Sequence, residues 1–269
     1  MTRENEDKAR ETTSPKELEE LAMDEDVEVR AEVAKNENTP LPVLEKLSKD
    51  RKTIIRDCVA GNRKTPVSVL EKLSKDKKTS VRVSVAQNQY TPVSLLEKLA
   101  DDEDEEVCLY VSKNENTPVS LMEKLKDKSE VVRMYLATDT VSASELEKLA
   151  VDESEIVRQS VAGNNNITIS LLEKLVDDED EWVRNNVAYN RITPANLLEK
   201  LAEDGNEDVR QGVSKNENTP VSVLEKLAGD ENEDVRMYVA SNLNTPVSVL
   251  EKLAEDENES VREAAKEIL

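Results

Sequence analysis

A four-residue block, Leu-Glu-Lys-Leu or a close variant of it, recurs along almost the whole chain at a fixed interval. Its last leucine stands at positions 21, 47, 73, 99, 125, 149, 175, 201, 227 and 253, so the interval is 26 residues with a single step of 24. A period of roughly 20 to 50 residues is typical of stacked structural units rather than of an ordinary globular domain. The sequence therefore predicts about ten copies of one unit.

One copy, residues 65–88, indicates what each unit contains. Thr65 followed by Pro66 is typical of a helix start, with Thr65 as the N-cap and Pro66 in the first turn. Apolar residues then recur at helical spacing as far as Leu73, and a polar connection leads to a second apolar stripe. Asn88 is expected to end the second helix, because Asn tolerates left-handed backbone geometry. Each unit is thus predicted to be a pair of short helices, A and B.

Neither helix is long enough to be stable alone, because isolated helices need about 12 to 15 residues even to be marginal. Alternating apolar patterns and glycine-rich turns, which would indicate strands, are absent. We therefore predict an all-α solenoid of about ten 26-residue helix-pair repeats over residues 13–269, preceded by a polar tail over residues 1–12. The junction at 126–145 is two residues short and lacks the Thr-Pro start, so the solenoid is expected to be irregular there.

An aspartate and an arginine six residues apart mark the start of helix B in most copies. The carboxylate can accept N–H bonds at the helix N-terminus, and the arginine can reach either that aspartate or the aspartate of the next repeat. We interpret these pairs as a structural ladder, in which Cys108 replaces one arginine and leaves Asp102 without its cation. The ladder pairs include Asp50/Arg56, Asp76/Arg82, Asp127/Arg133, Asp178/Arg184, Asp204/Arg210 and Asp230/Arg236.

The unit TPVSVLEKLAEDENESVR, with VRxxVAxN closing helix B, resembles the repeats of the leucine-rich repeat variant family. The resemblance implies a right-handed superhelix of short alternating helices, an architecture that serves mostly as a protein-binding scaffold. The order of Pro, Asp and Val-Arg also resembles HEAT repeats, although HEAT units are longer. Some proteins of the variant family carry an iron–sulfur cluster on N-terminal cysteines. Residues 1–13 contain no Cys, so no cofactor is expected here.

Composition narrows the classes of function. Asp and Glu number 59 against 37 Lys and Arg, which gives a formal charge of −22. Binding to a nucleic-acid backbone needs clustered Lys and Arg, so no direct nucleic-acid binding is expected. No apolar run approaches the roughly 20 residues of a membrane span, and the N-terminal residues lack the apolar core of a signal peptide. We therefore expect a cytoplasmic protein that does not enter the membrane.

The chain contains no His, which removes the commonest catalytic base, the His-bearing triads and the His metal ligands. We expect no enzymatic activity and no bound metal. The acidic runs 101–106 and 177–181 lack the glycine turn and ligand spacing of a calcium loop, and we interpret them as a solvated edge. Cys58 and Cys108 lie two repeats apart, beyond disulfide reach, and are expected to be free thiols.

Helix B varies at the two positions after its arginine, whereas the surrounding framework hardly changes. Tyr, Trp and Met concentrate around helix B, and these residue types are over-represented in binding patches. We hypothesise that this face binds a partner; the alternative is that the same residues pack between adjacent helices B. The candidate residues are Leu109, Tyr110, Met134, Tyr135, Trp182, Tyr189, Met237 and Tyr238.

The function predicted from these features is a monomeric, non-enzymatic scaffold for another protein or a peptide, with acidic edges that favour a basic partner. Two alternatives stay open. One is an acidic mimic of nucleic acid that occupies the cleft of a basic protein, and the other is an engineered or recently duplicated array with no evolved partner. Regularly spaced carboxylates along one edge would favour the mimic, whereas a clustered apolar face would favour the scaffold.

Overall fold

The computed structural model describes Thr2–Leu269, and this range contains 21 α-helices and no strand. Helix α1 spans Thr2–Glu11, and the ten A helices are α2 Pro15–Leu21, α4 Leu41–Leu47, α6 Val67–Leu73, α8 Val93–Leu99, α10 Val119–Lys128, α12 Ala143–Leu149, α14 Ile169–Leu175, α16 Ala195–Leu201, α18 Val221–Leu227 and α20 Val247–Leu253. The ten B helices are α3 Val27–Lys35, α5 Thr53–Gly61, α7 Thr79–Gln87, α9 Glu105–Lys113, α11 Glu130–Asp139, α13 Glu155–Gly163, α15 Glu181–Tyr189, α17 Glu207–Lys215, α19 Glu233–Ser241 and α21 Glu259–Ile268. The predicted all-α repeat solenoid is confirmed.

The chain divides into two compact units, of which the first ends at Val132 and the second begins at Arg133. The division falls in α11, inside the segment 126–145 where the sequence predicts an irregularity. From α3 to α9 and from α13 to α21, consecutive B helices pack side by side, and A helices pack against neighbouring B helices. The core lies between the two helix layers and consists of A-helix leucines such as Leu70 and B-helix valines such as Val81, both fully buried. Each such side chain contributes about 1.5–3 kcal/mol through burial.

Helix α1 lies in the segment 1–12 that was expected to be a polar tail. It takes the place of a helix B ahead of the first pair and packs against α3. Ala9 is the one buried side chain among residues 3–11 of this helix. The other contacts are polar: Asn5 Nδ2 donates to Asp24 Oδ2 at 3.0 Å, and Arg10 Nε donates to Glu32 Oε2 at 2.9 Å. Mostly polar groups join α1 to α3, so the sequence of α1 contains no apolar stripe that would indicate a helix.

Helix α11 repeats the geometry of α1. Each has 10 residues, and three residues separate each from the A helix that follows. In both cases the Asn at the end of the next helix B binds the last carbonyl groups. Asn36 Nδ2 donates to the carbonyls of Ala9, Arg10 and Thr12, and Asn164 Nδ2 donates to those of Ala137, Thr138 and Thr140. At the shortened 24-residue step, the start of the second unit therefore has the same helix arrangement as the start of the first unit.

Eight ladder arginines each join one repeat to the next. Arg158 Nη1 donates to the backbone carbonyl of Asp152 in its own repeat at 2.9 Å. Its Nε and Nη2 donate to the two carboxylate oxygens of Asp178 in the next repeat, at 2.8 and 2.9 Å. The spacing in the sequence leaves open whether this arginine binds the aspartate of its own repeat or that of the next repeat. In the structure, it binds the carboxylate of the next repeat. The joined pairs are Arg30–Asp50, Arg56–Asp76, Arg82–Asp102, Arg133–Asp152, Arg158–Asp178, Arg184–Asp204, Arg210–Asp230 and Arg236–Asp256.

Two positions differ from the expected ladder. Asp102 does have a cation, because Arg82 Nε and Nη2 donate to its carboxylate at 2.7 and 2.9 Å. The buried Cys108 thiol donates instead to the Ala100 carbonyl at 3.5 Å. Asp127 is exposed within α10, which continues to Lys128, so it does not occupy the loop position of the other ladder aspartates.

A second ladder runs along the C-terminal ends of the helices B, and it explains why KNENTP recurs at 35–40, 113–118 and 215–220. Asn88 has φ −66° and ψ 120°, which is extended rather than left-handed backbone. Its Nδ2 donates to the carbonyls of Ala60 and Asn62 in the previous repeat, at 2.7 and 3.1 Å. Asn is therefore needed for its side-chain amide, which satisfies carbonyl groups that a helix end leaves unpaired.

The threonine of the same motif also binds a carbonyl group. Thr91 Oγ1 donates to the Val85 carbonyl at 2.6 Å, and the N-cap of α8 is Pro92. In the unit 65–88, likewise, Thr65 Oγ1 donates to Val59 and Pro66 is the N-cap of α6. The threonine thus closes the turn from B to A rather than capping helix A.

Lysine occupies the N-cap of α5 and α7, at Lys52 and Lys78, with no side-chain bond to the first turn. At the same position of α19, Asn232 accepts from the N–H groups of Asp234 and Val235. Because a capping side chain satisfies these N–H groups, we expect Lys52→Asn and Lys78→Asn each to raise the free energy of unfolding by about 1 kcal/mol in urea denaturation. Lys77→Asn removes the same charge without creating a cap, and an equal gain in that control would contradict the prediction.

The ladder also predicts how stability depends on pH. Partial burial would raise the pKa of Asp178, but the Arg158 guanidinium and the Asp180 N–H hold this pKa below its ordinary value. A lowered folded-state pKa stabilises the fold above the unfolded pKa of about 3.9, and this stability is lost as pH falls through the folded value. Asp178→Asn should therefore lower the free energy of unfolding by roughly 1–3 kcal/mol at neutral pH and by progressively less below about pH 4.

Chemical denaturation at a series of pH values measures this difference. Glu179→Gln is the control, because the Glu179 side chain is 91% exposed and should leave both the stability and its pH dependence nearly unchanged. A deficit in Asp178→Asn that stays constant into acid would mean that the carboxylate charge does not stabilise the ladder.

Candidate functional site

The two variable positions of helix B differ in burial. At the first position after the arginine, Ala31, Val83 and Asn185 are 1%, 7% and 8% exposed, and Met134 and Met237 pack partly buried against the core of the second unit. At the second position, the tyrosines are half-buried and reach the surface. The first position therefore lies between adjacent helices B, and the second contributes to the outward side of these helices, which we call the B face.

Four candidate residues lie on α9 and α11. Leu109 and Tyr110 of the first unit are half-buried on α9, and Lys113 Nζ lies 5.4 Å from the centroid of the Tyr110 ring. Met134 and Tyr135 of the second unit are half-buried on α11. Tyr135 Oη donates to Asp139 Oδ2 at 3.3 Å. A role of these four residues in binding stays a prediction.

Helix α15 carries the two most exposed aromatic side chains of the second unit, Trp182 at 49% and Tyr189 at 42%. They lie on one side of the helix with Asn186 between them, because residues i, i+4 and i+7 share a helix face. At 1.5 Å per residue, the two aromatic residues are separated by about 10 Å along the axis. Among the described residues, the Asn186 side-chain amide has no hydrogen-bond partner. This stripe therefore offers two apolar contacts with a free amide between them.

Tyr189, Lys215 and Tyr238, from three consecutive B helices, meet beside this stripe. Lys215 Nζ donates to Tyr189 Oη at 2.7 Å and lies 3.6 Å from the centroid of the Tyr238 ring. The negative π face of an aromatic ring attracts an ammonium group. Burial would lower the pKa of Lys215, but its hydrogen bond to Tyr189 and its interaction with Tyr238 raise this pKa above its ordinary value, so the ammonium stays charged. We call these three residues the tyrosine–lysine cluster.

Gly212 provides the space that Tyr189 occupies. A Cβ atom at Gly212 would lie 2.9 Å from Ala188 Cβ and 3.1 Å from Tyr189 Cδ2, closer than side chains pack. Glycine inside a helix costs roughly 0.5–1 kcal/mol relative to alanine. The glycine in α17 was therefore a visible signal in the sequence for a close contact, although neither Gly212 nor Lys215 was among the candidates.

Two surface grooves flank the cluster. One, of about 380 Å³, is lined by residues that include Gly163, Asn186 and Tyr189. The other, of about 570 Å³, is lined by residues that include Lys215 and Leu243. Leu243 is 84% exposed and lies in the turn after α19, outside the helix-B pattern that defines the candidate residues. Apart from Tyr189 and Leu243, the side chains that line the two grooves are polar.

The edge at the A–B connections carries different charges in the two units. In the second unit, Glu153, Glu179, Glu231 and Glu257 follow the ladder aspartates, are at least 90% exposed and lie 3.7–3.8 Å from ladder arginines. Arg51 and Lys77 occupy the equivalent position in two repeats of the first unit. Acidic residues exceed basic residues by 16 over 133–269 but only by 6 over 1–132.

Comparison with known proteins supports the fold. Among solved structures, a leucine-rich repeat variant described as having a novel repetitive structural motif superimposes with a TM-score of 0.51 at 23% identity, over 92% of this chain and 88% of that chain. The chain has the fold of a leucine-rich repeat variant. The Escherichia coli protein YibA superimposes with a TM-score of 0.37 at 20% identity, over 98% and 94% of the two chains. No protein-family model and no curated protein matches the chain.

Three further observations concern the described residues, 2–269. No helix there is both long and apolar enough to cross a bilayer. In the same range, no three Cys, Asp or Glu side chains converge as metal ligands. Cys58 and Cys108 are free thiols, and burial raises the pKa of both.

The position of Gly212 can be tested by substitution. Gly212→Ala should lower the free energy of unfolding by about 1–3 kcal/mol, because the added methyl group overlaps Ala188 and Tyr189. Gly163→Ala, at the last residue of α13, meets only Asn186 Oδ1 at 3.8 Å and should be neutral or stabilising. Urea denaturation compares the two variants, and equal stability changes would mean that Tyr189 does not rest on α17.

Proposed function

We propose that this protein is a non-enzymatic scaffold that binds another protein or a peptide through the B face of its second unit. The observation that carries the proposal is the exposure of Trp182 and Tyr189 on one side of α15, next to the tyrosine–lysine cluster. Aromatic side chains dominate the energy of many interfaces, because they bury a large rigid surface with little loss of conformational entropy. Trp182 and Tyr189 are the proposed anchors.

The polar groups of this face favour a peptide in contact with its backbone. The Asn186 amide lies between the two anchors and can both donate to and accept from a peptide group. The two grooves leave space beside Tyr189 and beside Lys215. A bound segment that places apolar side chains against Trp182 and Tyr189 would therefore place its backbone at Asn186.

Charge favours a basic partner. The first turns of α17 and α19 carry Glu207, Asp208, Glu233 and Asp234, near the end of the B face at which Trp182 lies on α15. The excess of 16 acidic residues over 133–269 would attract a basic partner at long range and raise its association rate. We therefore propose a partner segment with aromatic or aliphatic anchors and with basic residues directed toward these first turns.

The alternative of a nucleic-acid mimic depends on a continuous row of carboxylates. The second unit has such a row at Glu153, Glu179, Glu231 and Glu257, which Gly205 interrupts. At the same edge of the first unit, Arg51 and Lys77 reverse the charge. The carboxylates thus do not follow one pattern along the chain, whereas the aromatic side chains cluster on one face, which favours the scaffold.

Peptides selected from a random display library on the full-length chain provide ligands for the test. Trp182→Ala and Tyr189→Ala should each lower the binding affinity of the selected peptides by about 30-fold, equivalent to about 2 kcal/mol, as measured by calorimetry. Tyr90→Ala is the matched control, because Tyr90 is a 55% exposed tyrosine in a turn of the first unit, and its loss should leave affinity unchanged. Circular dichroism should show that all three variants fold.

A double charge reversal separates the scaffold from the mimic. For the scaffold, Glu179→Lys with Glu231→Lys should change mainly the salt dependence and the association rate. If this reversal abolished binding while the two aromatic replacements had no effect, the mimic would be the correct interpretation. Selected peptides that bind the Trp182→Ala variant as tightly as the original chain would contradict the proposed anchors.

A further inference from the structure

Two consecutive A–B connections of the first unit carry exposed cations at equivalent positions. Three precede α5 and three precede α7, and all six side chains are exposed. None of them forms an ion pair or a side-chain hydrogen bond with any residue that the structure describes. We call this set the basic edge; its members are Lys49, Arg51, Lys52, Lys75, Lys77 and Lys78.

The carboxylates within the basic edge are already bound to other arginines. Asp50 accepts from Arg30 Nε at 2.9 Å, and Asp76 accepts from Arg56 Nε at 2.6 Å. Their charges therefore belong to the ladder and do not neutralise the basic edge. Over residues 49–78, Lys and Arg exceed Asp and Glu by six, in a chain with a formal charge of −22. A local positive surface thus persists on a strongly acidic protein.

The first turns of α5 and α7 add to this positive charge. Lys52 and Lys78 are their N-caps, no side chain accepts from their first N–H groups, and neither first turn contains an acidic residue. The N-cap is Asp, Asn or Ser in α3, α9, α13, α15, α17, α19 and α21. Cations at a helix N-terminus oppose the helix dipole, so these two repeats lose stability that a bound anion would restore.

The basic edge is short. The preceding connection contains Asp24, Glu25 and Asp26, and the following one, 101–106, consists only of acidic residues. A groove of about 390 Å³ is lined by residues that include Arg51 and Lys52. A second groove, of about 560 Å³, is lined by residues that include Lys77, and Glu103 of the next repeat also lines it. An anionic ligand that extends beyond these two connections would therefore meet carboxylates at both ends.

We propose that the basic edge binds a short acidic peptide segment in the polyproline II conformation, with its carboxylates three residues apart. Packed helices lie about 10 Å apart, which sets the spacing between the first turns of α5 and α7. In polyproline II, residues i and i+3 point to the same side about 9 Å apart, so successive carboxylates can reach the two turns. This surface belongs to the first unit and is independent of the B face of the second unit.

A peptide of three Glu-Pro-Pro triplets, labelled for fluorescence anisotropy, tests the proposal on the full-length chain. We expect saturable binding that weakens as salt rises, because the contacts are between exposed charges. A composition-matched peptide with its three glutamates adjacent should bind at least tenfold more weakly. Equal binding of the two peptides, or no binding of the triplet peptide, would overturn the proposal.

The chain itself supplies the residues for a variant that keeps its fold. At the equivalent positions of the second unit, Glu231 and Asn232 form the same turn. The variant introduces these residue types into both connections of the basic edge, through Arg51→Glu, Lys52→Asn, Lys77→Glu and Lys78→Asn. This variant should lose at least tenfold in affinity for the triplet peptide. Arg63→Glu with Lys64→Asn changes charge in the B–A turn of the same unit and is the control that should retain binding.

The outcomes separate the classes of ligand. A loss in the control in proportion to its charge change, three units against six in the basic-edge variant, would show that only net charge matters and would overturn the site. A single-stranded oligonucleotide of equal charge that binds the basic edge more tightly than the triplet peptide would identify a nucleic-acid surface instead. Retained binding in the basic-edge variant, with folding verified by circular dichroism, would place the peptide elsewhere.

Discussion

Side-chain hydrogen bonds between repeats are the interaction on which this structure depends. Helices of seven to nine residues are not stable alone, and their ends leave backbone groups unpaired when the helices stack. Arg158 satisfies carbonyl groups at the start of one repeat and binds Asp178 of the next one. Asn190 does the same at the other end of helix B, through the carbonyls of Ala162 and Asn164. Every repeat therefore needs its neighbour for polar as well as apolar contacts.

This arrangement separates the framework from the surface. The two ladders occupy the ends of helix B, and the valine and leucine core fills the side that faces helix A. The outward positions of helix B carry no ladder contact, so most of them can change while both ladders stay intact. Tyr189, Gly212 and Lys215 form one such combination of variable residues. Gly212 leaves space for the Tyr189 ring, and Lys215 donates a hydrogen bond to the Tyr189 hydroxyl.

The same separation holds for charge. Apart from Asp127, each ladder aspartate from Asp50 to Asp256 is bound to an arginine of a preceding helix B, so the exposed residue that follows it sets the charge of the edge. That residue is Lys77 after Asp76 but Glu179 after Asp178. One backbone therefore carries a basic edge in the first unit and an acidic edge in the second, with the same ladder beneath both. The proposed surfaces of the two units differ for this reason in the charge of the ligand that they suit.

The sequence alone determined the repeat and the helix pairs, because these features are local patterns that the 26-residue period repeats. It also predicts the arginine ladder, in which Asp127 takes no part, and an irregular junction over 126–145. Only the tertiary structure decided that Arg158 binds the aspartate 20 residues later, that Asn88 donates to carbonyls 26 and 28 residues earlier, and that α1 is a helix with almost no apolar residue. It also decided which variable side chains are exposed and that Tyr189, Lys215 and Tyr238 meet. These contacts join different repeats, and their geometry follows from how the helices stack, which no local pattern contains.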